Sequence, residues 1–261
     1  MKQITYILTI MLFVACGQNK RNLIEKSADL PLDTLSETSI DFSLDTLMAN
    51  NYLLTFENTD NFEKTDIYGD LDYRTKLTDT IENYFNKARK IQTYLTKQFG
   101  DYFYSTDTML VLRLANGETL NFNKAREDTD GLQEYIFEHY LDQIDYYLLT
   151  VVYWEGSSKL LVNRKNGFTK EIIGMPYISE DNKKIIAINS DLDAGYNFNG
   201  IELYTIFADS LQTEFRKETK WGPIDVKWIH DNEFLLKREH FHNDGKNIDY
   251  KRVKIEKVTS R

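Results

Sequence analysis

Residues 146–173 read Tyr-Tyr-Leu-Leu-Thr-Val-Val-Tyr-Trp-Glu-Gly-Ser-Ser-Lys-Leu-Leu-Val-Asn-Arg-Lys-Asn-Gly-Phe-Thr-Lys-Glu-Ile-Ile. Tyr146 to Trp154 is rich in aromatic and β-branched side chains, which suit a pleated surface. Glu155-Gly156-Ser157-Ser158 supplies a turn, Lys159 to Asn163 a returning strand, Lys165-Asn166-Gly167 a second turn and Phe168 to Ile173 a third strand. Strand, turn and strand recur too quickly for intervening helices, so the spacing predicts an antiparallel meander.

The same texture runs upstream to Gly100. Met109 to Leu114 and Glu118 to Phe122 flank Asn116-Gly117, the strongest short hairpin signal. Leu132 to Tyr140 fits a strand and a short helix equally. Before Gly100 the period changes: Leu77, Ile81, Tyr84, Phe85, Ala88, Ile91, Tyr94, Leu95 and Phe99 follow three- and four-residue steps. Thr78 or Asp79 would cap this helix and Gly100 would end it.

Downstream, Tyr177-Ile-Ser-Glu-Asp-Asn-Lys-Lys-Ile-Ile-Ala-Ile-Asn-Ser-Asp191 leads through a polar loop to Asn199-Gly-Ile-Glu-Leu-Tyr204. A fainter copy begins at Trp228, and the Asp-Asn turns at Asp181 and Asp231 lie fifty residues apart. The pattern resembles the repeat of TolB-like β-propeller blades, with Glu180 for the usual Pro and Asn182 for the Gly, over residues 146–240. The resemblance implies a scaffold, since such folds host many functions. About 160 residues follow Gly100, and at about 40–50 residues per blade they hold three to four units, excluding a closed ring of six or more. The expected fold is therefore α+β and mostly β: a β-meander or partial-propeller body over 101–261, with one long N-terminal helix packed on it.

Met1 to Gly17 carries a different message. Lys2 precedes an apolar run from Ile4 to Val14, and Ala15 precedes the only cysteine, Cys16. The run is too short for a hydrocarbon core that needs about 20 apolar residues, and it reads as a signal-peptide h-region. Ala15-Cys16-Gly17 resembles the lipobox of bacterial lipoproteins, with Phe13 in place of the usual leucine. That resemblance implies cleavage after Ala15 and acylation of Cys16, which would become the lipid anchor. Gly17 in place of aspartate resembles the outer-membrane pattern of Gram-negative lipoproteins, so the expected location is the cell envelope. An ordinary secretory signal, or a single-span anchor, with an incidental Cys16 is the alternative. Spending Cys16 on an anchor leaves no thiol for a disulfide, a Cys nucleophile or a Cys metal site.

The expected order is signal peptide 1–15, flexible tether 16–41, an acidic and helical region 42–100, and the β-rich body. Within the acidic region Phe42 to Phe56 is too apolar to stay solvated and should dock on the body. The formal net charge is −9. Residues 27–73 hold eleven Asp/Glu against Lys64, so nearly all the acidity lies in one segment behind the anchor. Such a segment would be repelled by anionic lipid and stand off the membrane. Nucleic acid is excluded as a partner, because phosphate contacts need clustered Lys and Arg.

Candidate sites are few. Asp191, Asp193, Asn197, Asn199 and nearby Glu202 alternate oxygen-bearing side chains, as a loose calcium loop would; a polar inter-strand loop has the same composition. His240 and His242, with His230, Glu239 and Asp244 close in sequence, would suit zinc if they converged. Trp221 and Trp228 flank Gly222-Pro223, where aromatic faces hold sugars or peptides or else cover the core. No nucleophile elbow, P-loop, zincin or dinucleotide fingerprint is present in the sequence. No cofactor is expected apart from calcium. These features predict an anchored, non-enzymatic module that binds an envelope protein or another envelope component. An enzyme acting on glycans or peptides, and an immunity-type toxin antagonist, are the alternatives.

Overall fold

The computed structural model describes residues 45–60, 62, 77, 79–81, 84–125, 131–242 and 245–258, all within a unit spanning Asp41–Arg261. It is built from β1 (Asp45–Ala49), β2 (Tyr52–Asn58), α1 (Tyr84–Phe99), β3 (Phe103–Ser105), β4 (Met109–Arg113), β5 (Thr119–Asn123), β6 (Gln133–Leu141), β7 (Tyr146–Tyr153), β8 (Gly156–Asn163), β9 (Thr169–Ile172), β10 (Met175–Ile178), β11 (Lys184–Asn189), β12 (Gly200–Ile206), β13 (Leu211–Glu218), β14 (Gly222–His230), β15 (Glu233–His242) and β16 (Gly245–Lys257).

These strands form four antiparallel sheets: sheet I, β3-β4-β5; sheet II, β6-β7-β8-β9; sheet III, β10-β11-β12-β13; and sheet IV, β1-β2-β16-β15-β14. Alternation along two central strands explains the packing. In β7, Tyr147 and Leu149 face α1 and sheet I, against Leu95, Phe103 and Leu112. Their neighbours Tyr146 and Leu148 face sheet III, against Ile185, Ala187 and Tyr204. In β11, Ile186 and Ile188 face sheet IV, against Phe56, Phe234 and Val253. Successive side chains point to opposite faces, so a strand that is apolar at every position must be covered twice. Such runs are usual in parallel sheets with two covered faces; here antiparallel meanders stacked face to face achieve the same burial. Each fully buried Leu or Ile contributes about 1.5–3 kcal/mol, and three cores share that stabilisation.

The chain's early and late segments meet in sheet IV. The β1–β2 hairpin adds to β16 with Tyr52 opposite Lys257 and Phe56 opposite Val253. Leu54 and Phe56 from this hairpin are fully buried, which is why the segment containing them is not solvated. The fold expectation is corrected in two respects. Among the described residues no long N-terminal helix packs on the body: α1 spans Tyr84–Phe99, and although Leu77 is helical, Asp79 and Thr80 form a turn and Ile81 is non-helical. Thr and Asp side chains compete for backbone hydrogen bonds and favour turns over helix interiors, so a turn interrupts the apolar period. The body is also no propeller: among the described residues the four sheets close neither a ring nor a barrel. The fifty-residue recurrence marks the tight turn after an edge strand in each of two sheets, β10–β11 in sheet III and β14–β15 in sheet IV. At the first of these Asn182 has a φ of 58° and Asp181 accepts from Ser179 Oγ at 2.7 Å.

Candidate functional site

The β7–β8 turn, the β11–β12 loop and the adjoining ends of β15 and β16 lie at one end of sheets II, III and IV. Contacts tie these connections together. Asn197 Oδ1 accepts from the Ser157 N–H at 2.8 Å, joining sheets III and II. Asp193 pairs with Lys246 Nζ at 3.2 Å, and Ser190 Oγ donates to Glu239, joining sheets III and IV. Gly156 has a φ of 115°, and a Cβ there would collide with Asn197 Oδ1, so the turn can approach the loop only with glycine.

The β11–β12 loop contains the calcium candidates, and the structure gives each another partner. Asp191 accepts from the N–H groups of Ala194 (3.2 Å), Gly195 (3.0 Å) and Asn197 (2.6 Å) and from Asn197 Nδ2 (3.1 Å). Burial opposes its charge, but these donors, Asn197 and Gly195 foremost, outweigh it and hold the carboxyl below its ordinary range. Asn199 Oδ1 accepts from the Asp191 N–H at 3.1 Å, and its amide donates to the carbonyls of Thr219 (2.7 Å) and Trp221 (3.1 Å). Glu202, only 3% exposed, lies outside the loop, in β12. It accepts from the Ile173 N–H at 2.9 Å and the Tyr204 hydroxyl at 2.6 Å, and faces Arg216 at 3.5 Å. The five side chains brace a loop and an inter-sheet seam.

The other candidates separate. His230 ends β14 and His240 lies near the far end of β15, at opposite ends of sheet IV. His240 Nε2 faces Asp249 at 3.4 Å. Asn243 and Asp244 lie outside the described residues, as does Cys16. Among the described residues no group of three or more His, Cys, Asp or Glu is placed to hold a metal ion. Trp228 is 6% exposed, stacks edge-on against Phe234 and donates from Nε1 to the Tyr177 carbonyl at 2.9 Å. Trp221 lies edge-on to Phe56, and the Arg238 guanidinium lies 4.8 Å from its ring centre. Arg238 is buried and forms a bidentate pair with Asp249 at 2.9 and 2.6 Å. Both tryptophans therefore serve the core between sheets III and IV.

Two clefts open beside the braced loop. The first, of about 290 Å³, lies between sheets III and IV and is lined by Lys159, Met175, Tyr177, Asn189, Ser190 and Glu239 among others. Behind it Lys159 Nζ donates to Thr150 Oγ1 (2.6 Å) and Glu138 (3.3 Å), while the Thr150 hydroxyl donates to Glu138. The amine is held by a carboxylate and the hydroxyl's proton is engaged, so the trio is a polar brace and not a nucleophile with its base. Burial first and Asp225 second push the Tyr177 phenol far above its ordinary value, so it stays a neutral donor.

The second cleft, of about 380 Å³, lies between sheets II and III. Tyr153, Glu155, Ser158 and Glu171 come from one wall, and Tyr196, Asn197, Phe198 and Arg216 from the other. Arg216 lies over the Phe198 ring at 4.1 Å. The Tyr153 hydroxyl makes only long contacts, 3.4 Å each, to Ser158 Oγ and Glu171. Tyr196 is 64% exposed, and Trp154, at the hairpin tip between two lining residues, is 54% exposed. No sequence motif announces this cleft, because its walls lie in separate meanders; the only cue is the pair of aromatics set in polar turns.

Comparison with protein-family models, with curated proteins and with solved structures finds no match.

Proposed function

We propose that this chain is a lipid-anchored lipoprotein of the bacterial cell envelope whose β-rich body is a non-enzymatic binding module. The anchor reading rests on Ala15-Cys16-Gly17 behind the apolar run of residues 4–14. Each buried methylene of an acyl chain adds about 0.8 kcal/mol, and two or more chains give lasting attachment. The acids of residues 27–73, Asp45 and Glu57 of sheet IV among them, would be repelled by an anionic surface. Among the described residues no helix is long and apolar enough to cross a membrane.

The observation that carries the binding reading is the braced loop end. Three sheets present turns whose polar groups are fixed by one another, with Trp154, Tyr196 and Phe241 left exposed around them. A surface ordered before contact loses little entropy on binding, and exposed Trp and Tyr are favoured anchors of recognition.

The test is metabolic labelling with an alkyne palmitate analogue, followed by fractionation and in-cell crosslinking of the full chain against Cys16→Ala. Labelled protein in the outer-membrane fraction, with a crosslinked component lost in the variant, is the expected result. Unlabelled protein released to the soluble fraction sinks the anchor reading.

A further inference from the structure

We infer that the cleft between sheets II and III is a carbohydrate-binding site in which a pyranose ring stacks on Tyr196 and its hydroxyls bond to Glu171, Arg216 and Ser158. This rests on the binding-module reading and names the ligand class for it.

Chemistry of the walls selects the class. Glu155 and Glu171 accept, Arg216 donates, and Ser158, Tyr153 and the Asn197 amide supply hydroxyl or amide groups. Two carboxylates disfavour an anion, and Arg216 disfavours a cation. An apolar ligand would strand these groups without water. A neutral polyhydroxylated ring fits, because every hydroxyl is both donor and acceptor. The 3.4 Å contacts of the Tyr153 hydroxyl leave bonding capacity for a better-placed partner. Ring faces supply the rest: Tyr and Trp combine an apolar face with a wet edge, and a pyranose has an apolar face of C–H groups. The cleft's 380 Å³ falls in the range of small-molecule sites, about 300–1,000 Å³.

Rigidity favours the site further. Tyr196 is fixed between Gly195, whose N–H is held by Asp191, and Asn197, which is held by both Asp191 and Ser157. The hairpin carrying Trp154 is pinned at Ser157 by the same Asn197. Both rims are thus positioned before the ligand arrives.

The test uses the full-length protein in a detergent without a sugar headgroup, titrated with chitotriose, cellotriose and maltotriose. Saturation-transfer NMR and tryptophan fluorescence read the binding. At least one trisaccharide should bind, with transfer strongest at ring C–H protons. Tyr196→Ala should weaken it by about tenfold or more, and Glu171→Gln by about fivefold. Phe207→Ala, an exposed aromatic in the β12–β13 connection at the other end of sheet III, should leave it unchanged. Unaltered thermal midpoints keep loss of binding distinct from unfolding. Failure of all three trisaccharides to bind at about 10 mM, a concentration that detects even a millimolar Kd, overturns the proposal. So does binding that survives Tyr196→Ala, or a protein partner crosslinked through Tyr196 in place of a glycan. Acylation of Cys16 is read separately, so an anchored protein that binds no sugar sinks only the ligand assignment.

Discussion

Replacing Glu202 tests whether the structure assigns its carboxylate correctly. In a calcium loop it would be a ligand, and its removal in metal-free buffer would relieve repulsion. In the structure it is an internal acceptor, 3% exposed, for the Ile173 N–H and the Tyr204 hydroxyl. Glu202→Ala leaves both donors buried without a partner, at about 1–3 kcal/mol each. Arg216 adds less than about 1 kcal/mol, because its side chain is 52% exposed and water screens the pair. The sum is about 2–7 kcal/mol, centred on the roughly 3–5 kcal/mol for breaking a buried charged contact. For a chain of this size the central range lowers the thermal midpoint by about 6–20 °C. Glu202→Gln keeps an acceptor for Ile173 and presents an amide that the Tyr204 oxygen can accept, so it should cost about 1–2 kcal/mol. Adding Tyr204→Phe to Glu202→Ala removes one orphaned donor and should recover part of the loss, a coupling that contact residues show and distant ones do not. Urea unfolding of the four proteins at pH 7 in chelator decides the matter. A Glu202→Ala cost below about 1 kcal/mol, or no difference between the Ala and Gln variants, refutes the buried-acceptor assignment.

Other consequences are checkable with the same assay. Asp191→Ala should cost about 1–2 kcal/mol and speed hydrogen exchange at the amides of Ala194, Gly195 and Asn197, while exchange in β11 stays slow. Gly222→Ala places a Cβ against Ser190 Oγ and the Glu239 side chain, so it should cost about 1–3 kcal/mol and part that pair. Calcium at millimolar concentration should leave the midpoint where it is, since the oxygens of Asp191, Asn197, Asn199 and Glu202 are engaged. Stability should fall in acid. Burial opposes the charge on Asp145, Asp191, Glu214 and Asp249, yet hydrogen bonds and neighbouring cations hold all four below their ordinary values. A group depressed in the folded state stabilises it fully above the unfolded pKa, about 4, and loses that contribution as pH falls through the folded value. The urea midpoint should therefore be level from pH 7 to 5 and drop steadily below about 4.

Strands whose turns carry Gly or Asn were legible because their chemistry is local. Asn116-Gly117, Glu155-Gly156 and Lys165-Asn166-Gly167 each connect strands that pair with one another. The ambiguous stretch ending at Tyr140 is strand because β6 lies beside β7, a tertiary fact that overrides short-range propensity. The pairing of β2 with β16 was beyond reach for the same reason: Phe56 and Val253 are neighbours only after folding. Helix length was overestimated because apolar residues keep helical spacing across Asp79 and Thr80, which form a turn.

Polar residues stranded in apolar β runs are the signal that sequence does offer for buried networks. Glu202 stands in Ile-Glu-Leu-Tyr, Thr150 in Leu-Leu-Thr-Val-Val and Glu138 in Ile-Phe-Glu-His-Tyr. A strand position with apolar neighbours two residues away on the same face will be covered, and a covered carboxylate or hydroxyl must be bonded. The inference yields the need for a partner and not its identity. Glu138 meets Lys159 across twenty-one positions, and Glu202 meets the Ile173 N–H across twenty-nine. The latter partner is a backbone amide, which no side-chain pattern can reveal. The same logic inverts at the surface. Tyr196 stands in a loop where nothing requires a large ring, and folding leaves it 64% exposed in the wall of a polar cleft. Burial accounts for the aromatic residues of the three cores; Tyr196 needs a different account, and a ligand with an apolar face supplies one.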